Sequence, residues 1–153
     1  MTAETSSTDD DTSTGDGSTQ DHAASLVVLE GESPWTVEEL DGIRAHLVED
    51  RTRLREELAT TEEGIADLLR DGGDGAGNDQ ADIGATSLER DAEMSLVQNA
   101  REMLFQVEHA LERIADGTYG VCESCGNPVG KERLLAFPRA TLCMTCKQRE
   151  ERR

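Results

Sequence analysis

Between Thr36 and Arg70, apolar residues recur at Leu40, Ile43, Leu47, Leu54, Leu58, Ile65 and Leu68, with Val37 and Leu69 beside them. The intervening positions are mostly charged, so the pattern predicts one long helix burying a single stripe. Thr36 and Glu39 have the spacing of a capping box at its start. The glycines of Asp71–Asp79 end it. A second helix is expected over Asp82–Asp116, where Val97, Ala100, Leu104, Val107, Leu111 and Ile114 follow a strict 3-4-3-4-3 spacing. That is a coiled-coil seam, with Met94 and Met103 alongside. Gly117 suits the left-handed position that closes such a helix. Two helices of 35 residues each would be about 50 Å long. Joined by a short Gly-rich link, they predict an antiparallel hairpin over 33–116 with its tip at about 71–82. The chain lacks the further long apolar helices that a larger bundle would need.

Upstream of this, Met1–Gln20 is Ser, Thr, Asp and Gly with no sizeable apolar side chain after Met1. Residues 1–32 therefore read as a disordered acidic tail. Within it Ala23–Leu29 (AASLVVL) is a short apolar run, read as a sticky stretch of tail, with folding back onto the first helix as the alternative. Composition fits this lean architecture. Only Trp35, Phe105, Tyr119 and Phe137 are aromatic among 153 residues, too few for a thick globular core. No apolar run approaches the roughly 20 residues that cross a bilayer, and the polar N-terminus is unlike a secretory leader. A cytoplasmic protein with no membrane partner is expected, and a monomer.

The formal charge is −18, unevenly spread. Residues 117–153 hold seven basic against four acidic side chains, leaving 8 basic and 29 acidic upstream. So acidic a chain is repelled by phosphate backbones at long range, and direct specific DNA contact is not expected. No enzyme constellation is visible either. His22, His46 and His109 are scattered and read as surface or seam-flanking residues, and the 71–79 glycines lack the lysine of a phosphate loop.

All four cysteines fall in one pattern, Cys122-x2-Cys125-x17-Cys143-x2-Cys146. Each C-x-x-C can put two thiolates on one metal, and the intervening loop returns the chain to close a tetrahedron. Gly120, Gly126, Pro128 and Gly130 supply turns. One structural zinc, closed by four thiolates, is predicted. Two disulfides or a redox dithiol are the alternatives, disfavoured for an acidic cytoplasmic chain.

Residues 119–126 (YGVCESCG), followed by Arg133-Leu134, Ala136, Pro138, Ala140, Leu142-Cys143 and Cys146, resemble the zinc-finger signature of the DksA/TraR family. The resemblance extends through the hairpin to about residue 35. It implies a non-enzymatic transcription regulator that binds RNA polymerase and inserts its coiled coil into the secondary channel, altering promoter-complex stability. It also implies a D-x-x-D-x-A motif at the tip. Two registers fit: Asp79 and Asp82, followed by Gly84, or Asp71 and Asp74, followed by Ala76. The first keeps the family's spacing to the finger and sets its carboxylates at a helix entry, so it is preferred. In family members that respond to the alarmone ppGpp, basic residues help to hold the nucleotide. The aligned positions here are Gln106, Phe137 and Lys147, which makes a ppGpp response through that site doubtful. Two readings from other classes remain: a DNA-binding finger, because the cysteine spacing also resembles GATA-type fingers, and a zinc or thiol redox switch, for which only Lys131 and Arg133 could activate a thiolate.

Overall fold

A computed structural model describes residues 22–71 and 80–153. Its two long helices are α1, Val37–Asp71, and α2, Gln80–Asp116. Each end lies within two residues of the expectation. Two short helices follow, α3 at Lys131–Ala136 and α4 at Met144–Glu151. The fold is mainly α, a helical hairpin with a small finger after it.

The start of α1 is fixed as its sequence implies. The Thr36 amide donates to Glu39 Oε2 (3.0 Å), and the Glu39 amide donates to Thr36 Oγ1 (3.2 Å). Two exposed backbone donors are thereby satisfied reciprocally. At the other end of the hairpin base, Gly117 adopts φ +80°, and the Thr118 and Tyr119 amides both donate to the Arg113 carbonyl. A side chain at Gly117 would be strained there.

The stripes meet as the pattern dictates. Leu40, Ile43, Leu47, Leu54 and Leu58 of α1 are buried, with Val97, Val107, Ala110 and Ile114 of α2. Ala100, Leu104 and Leu111 are partly covered against them. Among the described residues two ion pairs cross the hairpin, Arg55 to Glu108 (2.6 Å) and Arg101 to Glu62 (2.5 Å). They lie seven residues apart on each helix and so report a single antiparallel register. Burial fades toward the far end: Ile65 and Leu68 are half-buried, while Leu69 and Met94 are exposed.

The boundary of the expected tail needs correction. From residue 22 onward the chain is part of the fold. Residues 22–25 make one helical turn, and the chain then runs without helix to α1. Ala23, Leu26 and Trp35 are buried in the same cluster as the hairpin base and the finger's Tyr119, Val129 and Leu134. The physical reason is the shortage of rings. A hairpin two helices wide and a finger with one buried Tyr leave a gap between them, and this segment fills it. His22, expected as a scattered tail residue, is half-buried, its Nε2 at 2.6 Å from the Ile114 carbonyl in the last turn of α2.

Candidate functional site

The finger begins where α2 ends. Tyr119 is buried, and its hydroxyl donates to the Pro138 carbonyl (2.9 Å). Burial pushes its pKa up, far outweighing the opposing Arg113 charge, so the ring is a neutral packing group with a satisfied polar end. An antiparallel bridge joins Val121 to Pro128. Within it the Cys122 amide donates to the Asn127 carbonyl (2.8 Å) and the Gly126 amide to the Cys122 carbonyl (2.9 Å). Gly126 sits at φ +76°, closing the first knuckle. The second knuckle is the entry of α4, with Cys143 in the N-cap position and Cys146 in the first turn. The Glu123 amide donates to the Thr141 carbonyl (2.9 Å) and ties the two knuckles together.

This scaffold brings the four sulfurs together. The Sγ atoms of Cys122, Cys125, Cys143 and Cys146 all lie within 4.8 Å of one another. Cys125 and Cys143 are 3.7 Å apart, against about 3.8 Å for thiolates on a tetrahedral zinc with Zn–S near 2.3 Å. All four are free thiols, and 3.7 Å is far outside the roughly 2.05 Å of a disulfide. Cys122 and Cys146 are buried while Cys125 is exposed. Burial opposes ionisation of Cys122. The amides of Cys143, Cys125 and Ser124 outweigh it and bring the thiol down to about 6. At Cys146 the Ser124 hydroxyl favours the thiolate, but the neighbouring sulfurs and burial prevail and push it up to about 11. Four sulfurs at tetrahedral spacing, with the Cys146 thiol held protonated by its neighbours, make a site that a zinc ion completes by its own double positive charge. Four protein thiolates fill its coordination, so the metal is structural.

Two buried cations that sequence reasoning did not single out for this purpose hold the finger in place. Arg113, in the last turn of α2, donates from its guanidinium to the carbonyls of Thr118 (2.9 Å) and Val121, and faces Glu123 at 3.8 Å. Lys131, weighed as a thiolate activator, is instead bonded to Glu39 Oε2 (2.7 Å) and Ser33 Oγ (3.0 Å). Arg133, the other candidate, donates to the Leu142 carbonyl (3.2 Å) and lies over the Phe137 ring. Neither cation is found among the partners of the thiols. A buried charge leaves no periodic signal, and only its cost without a partner marks it.

The other expected residues fall as follows. Asp79 and Asp74 lie outside the described residues; Asp82 is in the first turn of α2 and Asp71 is the last residue of α1. Gln106, Phe137 and Lys147 come together along one open cleft of about 590 Å³ between the stem and the finger, which Arg133 and Arg139 also line. Lys147 is engaged by Glu150 (3.4 Å) and Glu151 (3.8 Å).

Residues 117–152 match the family model for the prokaryotic dksA/traR C4-type zinc finger. The RNA polymerase-binding transcription factor DksA of Caulobacter vibrioides is 37% identical over 75 residues, covering 49% of this chain and 53% of that protein. The chain thus spans about half the length of the curated relatives it matches first. An uncharacterized protein of Aquifex aeolicus is 30% identical over 113 residues, 74% of this chain and 77% of the relative. Among solved structures, transcription factor DksA2 from Pseudomonas aeruginosa has a TM-score of 0.61 at 31% identity, covering 75% of this chain and 84% of the other.

Proposed function

Because this chain belongs to the DksA/TraR family, we propose that it is a transcription regulator that binds RNA polymerase. It acts by inserting its hairpin into the secondary channel, where an acidic tip alters promoter-complex stability. The observation that carries this is the joining of a four-cysteine finger to a two-helix arm. With 35 residues in α1 and 37 in α2, the arm is about 50 Å long and two helices wide. So slender a module suits a narrow passage leading to a Mg²⁺-bearing centre, and carboxylates at its end suit the charge there. The working carboxylates are Asp79 and Asp82. The protein acts without enzymatic chemistry of its own, as a monomer, in the cytoplasm of the bacterium that makes it. Among the described helices none is long and apolar enough to cross a membrane.

The DNA-reading alternative gains little, since α4 sets Lys147 and Arg149 beside Glu150 and Glu151, with Lys147 paired to both glutamates, and the whole chain is at −18. A ppGpp response is not part of the proposal. Of the three aligned positions only Lys147 is cationic, and its charge is met by two glutamates.

The test is in vitro transcription with two double variants. Asp79→Asn with Asp82→Asn should leave polymerase affinity within a few-fold, since most residues of a large interface contribute below about 1 kcal/mol. It should abolish the effect on promoter-complex lifetime. Asp71→Asn with Asp74→Asn should be nearly silent. Loss of activity in the second pair alone would move the working tip to the other register. No polymerase retained on the wild-type chain would end the proposal.

A further inference from the structure

The hairpin helices pack along one another, and neither finger helix packs along them. The turn at Gly117 is one covalent joint, and Arg113 stiffens it. His109 of α2 also meets Glu123 of the first knuckle, and the finger's Leu134 and Cys146 share the buried cluster of the hairpin base. These contacts pin the joint locally, and the angle between finger and hairpin depends as well on what spans both parts farther from it.

The segment 22–35 sits where it could do so. At its first end Ala23 and Leu26 are buried at the hairpin base, and His22 meets the Ile114 carbonyl. Its middle lies over the finger. A Cβ on Gly120 would come within 3.5 Å of the Val27 carbonyl oxygen, and one on Gly130 within 2.9 Å of Leu29 Cδ1. These two glycines, at φ +91° and +109°, are therefore the floor on which the segment rests as well as turns of the knuckles. At its last end Glu32 accepts from the amides of Lys131 (3.0 Å) and Glu132 (3.1 Å) at the start of α3, and from that of Leu29 (2.8 Å). Trp35 packs against Tyr119, ring centroids 6.1 Å apart.

Lys131 closes the arrangement. Its side chain is only 7% exposed, and its ammonium meets Glu39 of α1 and the hydroxyl of Ser33, with the Pro34 carbonyl at 3.2 Å. One buried charge thus joins the finger to the segment and to the start of the hairpin, which lie nearly a hundred residues upstream of it. A buried ammonium must have its partners, so displacing the segment leaves it uncompensated. That cost makes the closed arrangement a discrete state rather than one of many.

We propose that residues 22–35 are a strap, keyed by Lys131, that locks the angle between the zinc finger and the hairpin. Lys131 is a positioning residue. The lock is a property of the free chain and stands independently of the polymerase reading.

The test uses the full-length zinc-loaded protein with ketone-bearing residues at the exposed positions Glu57 and Arg149, spin-labelled so that the zinc thiols are untouched. Three variants loosen the strap from different sides: Leu26→Asp at the hairpin base, Lys131→Met at the key, and the milder Glu39→Gln. Zinc content and helical circular dichroism check that finger and hairpin persist. The expected result is a single narrow label distance in the parent and a broadened one in Leu26→Asp and Lys131→Met. Hydrogen exchange at the Leu29, Lys131 and Glu132 amides should speed up by about tenfold or more, as for a segment released by local opening. Glu39→Gln should move both readouts in the same direction by less. Faster exchange with an unchanged label distance would make the strap a passenger, and unchanged exchange would remove the lock altogether. Either result overturns the proposal without bearing on whether the chain binds polymerase.

Discussion

Replacing Arg113 by Met should weaken zinc binding by about two orders of magnitude, although Arg113 touches no metal. Met keeps a long side chain and a good helix propensity, so α2 should be undisturbed. What disappears is the guanidinium, which donates to the carbonyls of Thr118 and Val121 in the turn leading into Cys122. Charge-assisted bonds contribute about 1.5–3 kcal/mol each. Since water can reach part of the vacated site, about 3 kcal/mol for the pair is reasonable. The finger's folding and its metal binding are one equilibrium, so that loss reads out as affinity, at about 1.4 kcal/mol per tenfold. The ion pair to Glu123 is a different matter. It is 3.8 Å long and the Glu123 side chain is 42% exposed, which puts it in the class of surface pairs worth under about 1 kcal/mol. Competition with a chromophoric chelator at neutral pH, run on the parent, Arg113→Met and Glu123→Gln, separates the two effects. An Arg113→Met affinity within threefold of the parent would refute the reasoning. So would a Glu123→Gln loss as large as that of Arg113→Met.

Chelating the metal should release one zinc per chain and unfold the finger while sparing most of the helical signal. The two finger helices hold 14 of the 86 residues in α1–α4, and elemental analysis with far-ultraviolet circular dichroism checks both halves of the statement. Acid should loosen the strap. The bond from the Lys131 ammonium holds Glu39 below its ordinary 4.5. At Glu32 burial works the other way but is outweighed by the amides of Lys131, Leu29 and Glu132, so it too is lowered. Groups depressed on folding stabilise fully above their unfolded value and lose that contribution as pH falls through the folded one. The emission of Trp35, the single tryptophan, should hold steady from pH 7 to about 5 and shift below about 4.5. Glu39→Gln should make that shift shallower.

The hairpin was legible because a helix that buries one stripe must repeat its apolar residues every three to four positions. The interior glycines Gly42, Gly64 and Gly84 oppose it only by about 1 kcal/mol each, too little against two long stripes. The metal centre was legible for a similar reason, since tetrahedral thiolate chemistry demands paired cysteines at close spacing. The segment 22–35 was not legible in the same way. Its contacts fall at every third residue, Ala23, Leu26, Leu29, Glu32 and Trp35, but that run mixes apolar residues with a glutamate and matches neither a helix stripe nor strand alternation, and its finger partners lie roughly a hundred residues downstream. Its apolar run at Ala23–Leu29 was a signal, but a run that short does not say what covers it. Arg113 and Lys131 were invisible as buried charges because a cation near a helix end or a loop usually faces water. The roles of Gly120 and Gly130 were only half-readable: a turn glycine is visible from its neighbours, whereas the Leu29 side chain that excludes a Cβ at Gly130 is not.

These features combine into a mechanical argument about the arm. Among the described side chains the buried stripe ends at Leu58 and Val97, and those beyond are half-buried or exposed. The far half of the hairpin is therefore placed by the stiffness of its helices and by whatever fixes their base. Over a lever of about 50 Å, a tilt of about 5° at the base carries the far end about 4 Å, more than the length of a hydrogen bond. A function that depends on carboxylates reaching a set depth would then be sensitive to contacts at the opposite end of the molecule. Arg113 guards the covalent joint and Lys131 guards the strap, and both are buried cations whose partners lie outside their own helices, those of Arg113 in the turn at Thr118 and Val121 and those of Lys131 at Ser33, Pro34 and Glu39. Placing charges there suits an aligning role better than a stabilising one, because replacing such an ion together with its charged partner by uncharged groups of similar volume often stabilises equally well but tolerates sliding. Lys131→Met combined with Glu39→Gln should accordingly cost little in thermal stability relative to its effect on the finger-to-stem distance. A variant that melted far below the parent while keeping that distance fixed would assign the lysine to stability instead.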